Sequence, residues 1–300
     1  MQLTLSSLIL ILHLKFMSQQ KSPNLKPNHE LDPIWYLNKF GYLKHNLTSK
    51  TSEKLIMLSK TKMPNTDYIN SKYDDEFKKA IKKFQKFAHL NVTGVLDDTT
   101  LKTMKLPRCG HPDILNSDPS NNLHQGSILK SLFRKKRYAL QGSKWLKSSI
   151  KYKISKYPML NSLSKDQIDS EIARAFDLWG SVSQLKFEQI RDQNSRFGSF
   201  FGVDQSLNKP VDIEIKFETG YHGDSEPFDG PGYILGHAYF PQFGGSTHFD
   251  AEELWTKRSP EGVNLYQVAV HEFGHALGLE HSDNYDAIMA PFFRYYSFNY

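Results

Sequence analysis

The sequence predicts an α/β (α+β) protein in two parts: a small bundle of three helices, followed by a mixed sheet with helices packed on it. Three observations carry this. Amphipathic helical periodicity recurs three times between residues 32 and 104. The second half alternates period-2 strand patterns with longer helix patterns, each helix announced by its own capping residue. A chain of 300 residues has room for about two domains.

Taken in order, Leu3 to Leu14 is largely apolar but too short to span a bilayer, which predicts a signal peptide over residues 1–20 and hence export. No other run is long and apolar enough for a membrane span. Asp32-Pro33-Ile34-Trp35 through Gly41 reads as a short helix with an Asp cap, Pro in the first turn and Gly at the stop. A second helix, about Asp75 to Ala88, sets Phe77, Ala80, Ile81, Phe84 and Phe87 on one face and its lysines on the other. Asp97 can cap a third that carries Leu101 and Met104. Asn46 and Asn91 open glycosylation sequons, which matter only after export.

Residues 114–133 have the Asn, Ser and Gly content of a linker and end in Arg134-Lys135-Lys136-Arg137. A basic tetrad is most often a solvated patch or a localisation signal. Between two domains it better fits a cleavage site, after Arg137, for a furin-like convertase. The boundaries expected are 1–20 for the signal peptide, 21–113 for the part with the helical bundle, 114–137 for the linker and 138–300 for the α/β part.

In the second half, Ile150 to Ile154 alternates as a strand. Ser164-Lys165-Asp166-Gln167 is a capping box opening a helix whose Ile168, Ile172, Ala175, Phe176 and Trp179 share one face. Strands at Leu185 to Ile190 and Val211 to Phe217 flank Arg191 to Pro210, read as an inserted surface loop. Asn264 and Gln267 form another capping box before the last helix.

Charge divides the chain the same way. Residues 1–137 carry 23 Lys and Arg against 11 Asp and Glu, whereas 138–300 carry 15 against 21. The formal +6 is therefore no argument for nucleic acid, because the basic half is separable from the half with the metal motif.

That motif is His271-Glu272-Phe273-Gly274-His275, followed by Gly278 and His281. Two histidines four apart share a helix face and can hold one zinc ion, with Glu272 beside them as a base. Gly278 can take the left-handed conformation that ends a helix, so that His281 returns as a third ligand. Three nitrogens leave one tetrahedral position open for water, as catalysis requires. Two histidines at this spacing also occur on ordinary helix faces; five residue types at five fixed positions are a far more specific signal.

Cys109 is the one cysteine, so no intrachain disulfide exists. Most solitary thiols are simply buried or exposed. Here a thiolate could fill the open zinc position and displace water. Farther on, the turn- and acid-rich stretch His222 to Gly232, with His237 and His248, supplies three imidazoles and a carboxylate, a closed set for a structural zinc.

Several of these segments resemble matrixins, the matrix metalloproteinase family of the metzincin clan. The extended histidine motif with Met289 eight residues downstream is similar to theirs. Pro107-Arg108-Cys109-Gly110-His111-Pro112-Asp113 resembles their cysteine switch, departing at His111, where the family usually has an apolar residue. Phe77 to Met104 resembles the peptidoglycan-binding-like module of their propeptides, and His222 to Gly232 their structural zinc and calcium loop.

The resemblance implies a metzincin domain with a mixed, mostly parallel sheet, in a secreted, monomeric zinc endopeptidase made as a latent zymogen. Its partners would be extracellular, matrix-type protein substrates, a furin-like activating protease and protein inhibitors. It implies two zinc ions, one on His271, His275 and His281 with Cys109 in the latent form, the other on His222, Asp224, His237 and His248. Glu272 would be catalytic. At least one calcium would bind Asp229, Asp250 and Glu253 with carbonyls of Gly230, Gly232 and Ile234. Asp212 matches a second calcium site, although Ser246 stands where an aspartate is expected. The substrate pocket would comprise Leu235, Ala238, Val268, Met289, Pro291 and Phe293, with Leu235 to Ala238 pairing an extended peptide by strand addition. The family's catalytic domain continues into a further helix, whereas this sequence ends at Tyr300 in an aromatic tail, so that helix is expected to be lacking. Two other readings stay open: a zinc-binding but non-catalytic or incomplete fragment acting as a binding protein, and a helical module that binds a wall polymer.

Overall fold

The structure, a computed structural model, describes residues 31–43, 74–115, 139–159, 163–191, 211–257, 259 and 261–293. The expected signal peptide, the Asn46 sequon, the Arg134 to Arg137 tetrad, residues 192–210 of the insertion and the tail beyond Phe293 lie outside them.

Three helices open the described chain. In α1 (Pro33–Lys39), the Asp32 carboxylate accepts the Ile34 N–H at 2.8 Å and Pro33 fills the first turn, where no N–H is needed. Helix α2 spans Asp74–Phe87, and α3 (Asp98–Met104) is capped by Asp97, which accepts the Thr100 N–H at 2.8 Å. Buried Gln85 ties α2 to the loop before α3. Its amide donates to Thr93, Val95 and Thr100, and its carbonyl accepts the Gly94 N–H. So short a bundle has little apolar volume of its own. It completes its core against the second half: Tyr36, Phe40, Phe84 and Met104 pack with Phe228, Tyr233, Ile234 and Phe292.

The sheet has six strands: β1 (Arg108–Cys109), β2 (Ser149–Lys156), β3 (Lys186–Gln189), β4 (Ile213–Glu218), β5 (Ile234–Ala238) and β6 (Thr247–Asp250). Their order is β1-β5-β6-β4-β2-β3, and only β5 and β6 run antiparallel. Buried Ile213, Ile215 and Phe217 alternate along β4, as one core-facing side of a strand must. Helix α4 (Lys165–Ser181) starts with both bonds of the expected capping box, and all five residues of its apolar face are buried. A two-strand pair, β7 (Trp255–Thr256) with β8 (Val263–Asn264), leads into α5 (Leu265–Ala276). Helices α4 and α5 meet through stacked Phe176 and Phe273, centroids 3.8 Å apart.

Two expectations are revised. The capping box at α5 is half made: Asn264 accepts the Gln267 N–H at 3.2 Å, but among the described residues the Asn264 N–H makes no return bond to the Gln267 side-chain oxygen, and the Gln267 amide nitrogen is buried without a partner. It lies instead beside a small cavity also lined by Leu235, Val268 and Phe293. The edge Leu235 to Ala238 is not open either, because β1 of the same chain pairs with it.

Gly274 within α5 has a packing cause. A Cβ there would sit 2.2 Å from Met289 Sδ and 3.2 Å from the Trp179 ring. Gly274→Ala should therefore force Met289 out of its seat and cost ~1–3 kcal/mol, the usual penalty of overpacking. Urea denaturation measures it; a change under ~0.5 kcal/mol would show that Met289 moves aside freely.

Candidate metal centre

One turn of α5 puts His271 and His275 on the same face. The helix ends beyond Ala276, and Gly278 takes φ +97°, where a Cβ would also strike Ser143 O at 2.4 Å. The chain reverses there and brings back His281. Each ring is aimed by its Nδ1–H: His271 donates to Ile288 O at 2.8 Å, His275 to Leu279 O at 2.7 Å and His281 to Asp113 Oδ1 at 2.8 Å. All three Nε2 atoms are thus free to converge, and Cys109 Sγ joins them, every ligand atom within 4.8 Å of the others.

The spacing suits zinc. Tetrahedral bonds of about 2.0–2.1 Å to nitrogen and 2.3 Å to sulfur put ligand atoms ~3.3 Å (N to N) and ~3.6 Å (N to S) apart. The His271 and His281 Nε2 atoms are 3.2 Å apart, and Cys109 Sγ lies 3.5 Å from His275 Nε2. Burial holds His271 and His275 well below the ordinary imidazole pKa and lowers His281, so the rings are neutral, as ligation requires. Burial, with Glu272 adding to it, pushes the Cys109 thiol up; it donates to Glu272 Oε2 at 3.4 Å. A cation among these groups would reverse that by deprotonating the thiol. Glu272 is fully buried, and burial raises its carboxyl to about 8.

In the second cluster, His222 Nε2, His237 Nε2 and His248 Nδ1 each lie 3.0 Å from Asp224 Oδ2. Burial lowers His237 and takes His248 down to about 4. Three imidazoles around one carboxylate oxygen fit a zinc closed by four protein ligands. Nearby, the loop from Asp229 to Ile234 folds over Asp250 and Glu253. Asp229 accepts the Ile234 N–H at 3.1 Å and Glu253 the Gly232 N–H at 2.5 Å, while Gly230 and Gly232 supply the left-handed turns. Asp250 Oδ2 is buried without a hydrogen bond among the described residues. These carboxyls and the loop carbonyls suit a hard cation. Asp212 does not repeat the arrangement: it pairs with the Lys147 ammonium and accepts the Lys151 N–H, so lysine already supplies positive charge there.

The segment carrying Cys109 is held on both sides. Arg108 and Gly110 donate to Tyr233 O and Gly236 O, each at 2.8 Å; Cys109 donates to Pro291 O at 3.0 Å, and Phe293 to Pro107 O at 2.9 Å. Behind it, Arg108 and Asp113 form an ion pair at 2.6 Å with both side chains fully buried. The guanidinium covers the Phe40 ring at 3.3 Å, and Tyr42 donates to Asp113 at 2.6 Å. His111 packs its ring 4.5 Å from that of His275 and 4.7 Å from Phe240, and burial takes its pKa to about 3.

Of the expected pocket residues, Leu235, Val268 and Phe293 border the cavity, Pro291 holds Cys109, Met289 underlies Gly274 and Ala238 is buried in β5. Pro107, Asn264 and Gln267 also border it and were not anticipated. Helical spacing contained the signal for Gln267, which stands one turn before His271 on the same face.

Burial raises Asp250 to about 7 and Glu253 to about 8. Both values lie above those of unfolded carboxyls, about 4, so the calcium-free protein should be most stable when both are protonated, should lose stability as pH rises from about 4 up to the folded values, and should level off above them. Melting curves with calcium chelated and zinc saturating should show this fall, and added calcium should remove it. A pH-independent melt would count against a cation here.

The profile of the family described as matrixin matches residues 144–299, and that of a peptidoglycan binding domain matches residues 35–104. Matrix metalloproteinase-16 of Homo sapiens is 43% identical over 220 residues, covering 72% of this chain and 33% of its own length. Matrix metalloproteinase-15 of Homo sapiens is 43% identical over 220 residues, covering 72% and 30%. Matrix metalloproteinase-20 of Homo sapiens is 40% identical over 217 residues, covering 72% and 37%. The chain thus spans about a third of the length of the curated relatives it matches. With a matrixin profile over more than half its residues and a sheet, helix pair and histidine cluster of the expected kind, the chain belongs to the matrixin family.

Proposed function

We propose that this chain is a zinc-dependent endopeptidase held latent by its own N-terminal half, acting on extracellular, matrix-type proteins after cleavage at Arg137 by a furin-like protease. The observation that carries the reading is the thiol of Cys109 seated among His271, His275 and His281, with Glu272 in contact. A sulfur in that position excludes water while the segment is docked.

His271, His275 and His281 would hold a zinc ion, which would supply Lewis acidity toward water and the scissile carbonyl. Glu272 would take a proton from the attacking water and deliver it to the leaving amine. Its position beside His271, at the face where the three imidazoles converge, puts the carboxylate within reach of a water there. Once β1 leaves, the freed edge of β5 receives an extended substrate strand, and the cavity beside Val268 takes a side chain of it. The cluster at Asp224 is read as a structural zinc, and Asp229, Asp250 and Glu253 as one calcium site. Export is read from the apolar N-terminus, with a monomeric enzyme and protein inhibitors as expectations of the family. Among the described residues, no helix is long and apolar enough to cross a membrane.

Glu272→Gln should keep two zinc ions per chain while lowering kcat/KM by at least ~10². Zinc stoichiometry and peptide turnover on the same preparation test it; retained hydrolysis would remove Glu272 from the chemistry, and a wild-type chain that binds zinc but never hydrolyses peptide would favour a binding protein. Cys109→Ser, a far weaker ligand, should make the uncut chain active. Silence of that variant until Arg137 is cut would mean that the N-terminal half blocks the cleft by bulk alone.

A further inference from the structure

His281 differs from the other two histidines of its cluster in what holds it. His271 and His275 donate their Nδ1–H to backbone carbonyls of Ile288 and Leu279, within the same half of the chain. His281 donates to a carboxylate, Asp113 Oδ1 at 2.8 Å, which comes from the other side of the Arg137 cleavage position. That carboxylate is fully buried and held by three donors: the Arg108 guanidinium at 2.6 Å, the Tyr42 hydroxyl at 2.6 Å and His281 itself. Burial disfavours its charge, yet Arg108 more than offsets this and keeps it ionised, with a pKa of about 2.

From this we infer that Asp113 is a positioning residue of the metal centre, supplied by the segment that also supplies Cys109. The inference rests on the zinc reading above. A carboxylate behind a ligating imidazole fixes its tautomer, aims the free nitrogen and raises its basicity. In the uncut chain Asp113 does this for His281, directing Nε2 toward His271 and Cys109. When the N-terminal half departs, His281 loses this partner at the same moment as the metal loses the thiolate. Latency is thereby built from two coupled contributions, a fourth ligand and a strengthened third one, and the uncut chain holds its zinc more tightly than a blocked cleft alone would explain. A merely structural Asp113 would need only Arg108 and Tyr42; the bond to His281 is the additional element.

The test uses the full-length, uncut chain labelled with 15N in histidine and loaded with zinc. His281 should show an Nδ1–H proton protected from solvent, as His271 and His275 do. Asp113→Asn should shift that resonance selectively, leave the other two in place and weaken zinc binding ~10 to 100-fold in chelator competition. Cobalt substitution reports docking through the absorption of the Cys109 thiolate on the metal. With that band present, a wild-type His281 proton exchanging at the solvent rate, or an Asp113→Asn chain whose affinity is unchanged, would overturn the inference alone. If Asp113→Asn undocks the segment and the band is lost, the wild-type proton still decides. Failure of the wild-type chain to bind metal at the three histidines would instead overturn the zinc reading itself.

Discussion

The buried pair of Arg108 and Asp113 is the contact through which the two halves of the molecule become one. Neither side chain is exposed, and an unpaired charge at such depth is costly: breaking a buried pair by removing one partner takes ~3–5 kcal/mol. The pair is tolerable because its remaining hydrogen bonds are made, by Tyr36 and Tyr42 from the helical bundle and by His281 from the metal cluster. The same few atoms therefore close the bend that presents Cys109, join the bundle to it and brace one histidine.

Around that pair the docking is apolar. The bundle buries its rings against Phe228, Tyr233, Ile234 and Phe292, residues within or beside the acidic loop and next to Pro291 and Phe293. Outer contacts, Lys39 with Glu226 and His89 with the Asp283 carbonyl, fasten its rim. The bundle is thus a cover whose core is partly borrowed from the half on which it sits. Backbone pairing of β1 with β5 on one side and with Pro291 and Phe293 on the other makes the fit directional.

Both histidine clusters are arranged so that burial does part of the metal's work in advance. Desolvation keeps the imidazoles of His237, His248, His271, His275 and His281 neutral, and the nitrogens of His271 and His281 stand at a spacing near the edge of a tetrahedron of zinc ligands. The acidic loop shows the converse: burial drives its carboxyls up until a cation favours their ionisation. The clusters differ in donor type: imidazoles joined by a thiol or by one carboxylate in the two histidine clusters, carboxyls and backbone carbonyls in the acidic loop.

Local signals determined a good deal by themselves. Asp32, Asp97 and Ser164 cap the helices they precede, the apolar faces of α2 and α4 are buried where periodicity puts them, and Gly278 bends the chain where a left-handed residue was needed. Each of these depends on neighbours within a few residues, so spacing alone reveals them. The histidine motif is legible for the same reason. What spacing could not show is which distant groups meet it. That Asp113 reaches His281, that Gln267 turns into a cavity instead of completing its cap, that Lys147 sits on Asp212, and that Gly274 makes room for Met289 were all decided by tertiary packing. Those contacts join residues far apart in sequence or set one side chain's local bond against a buried alternative, and only the folded chain brings the competitors together.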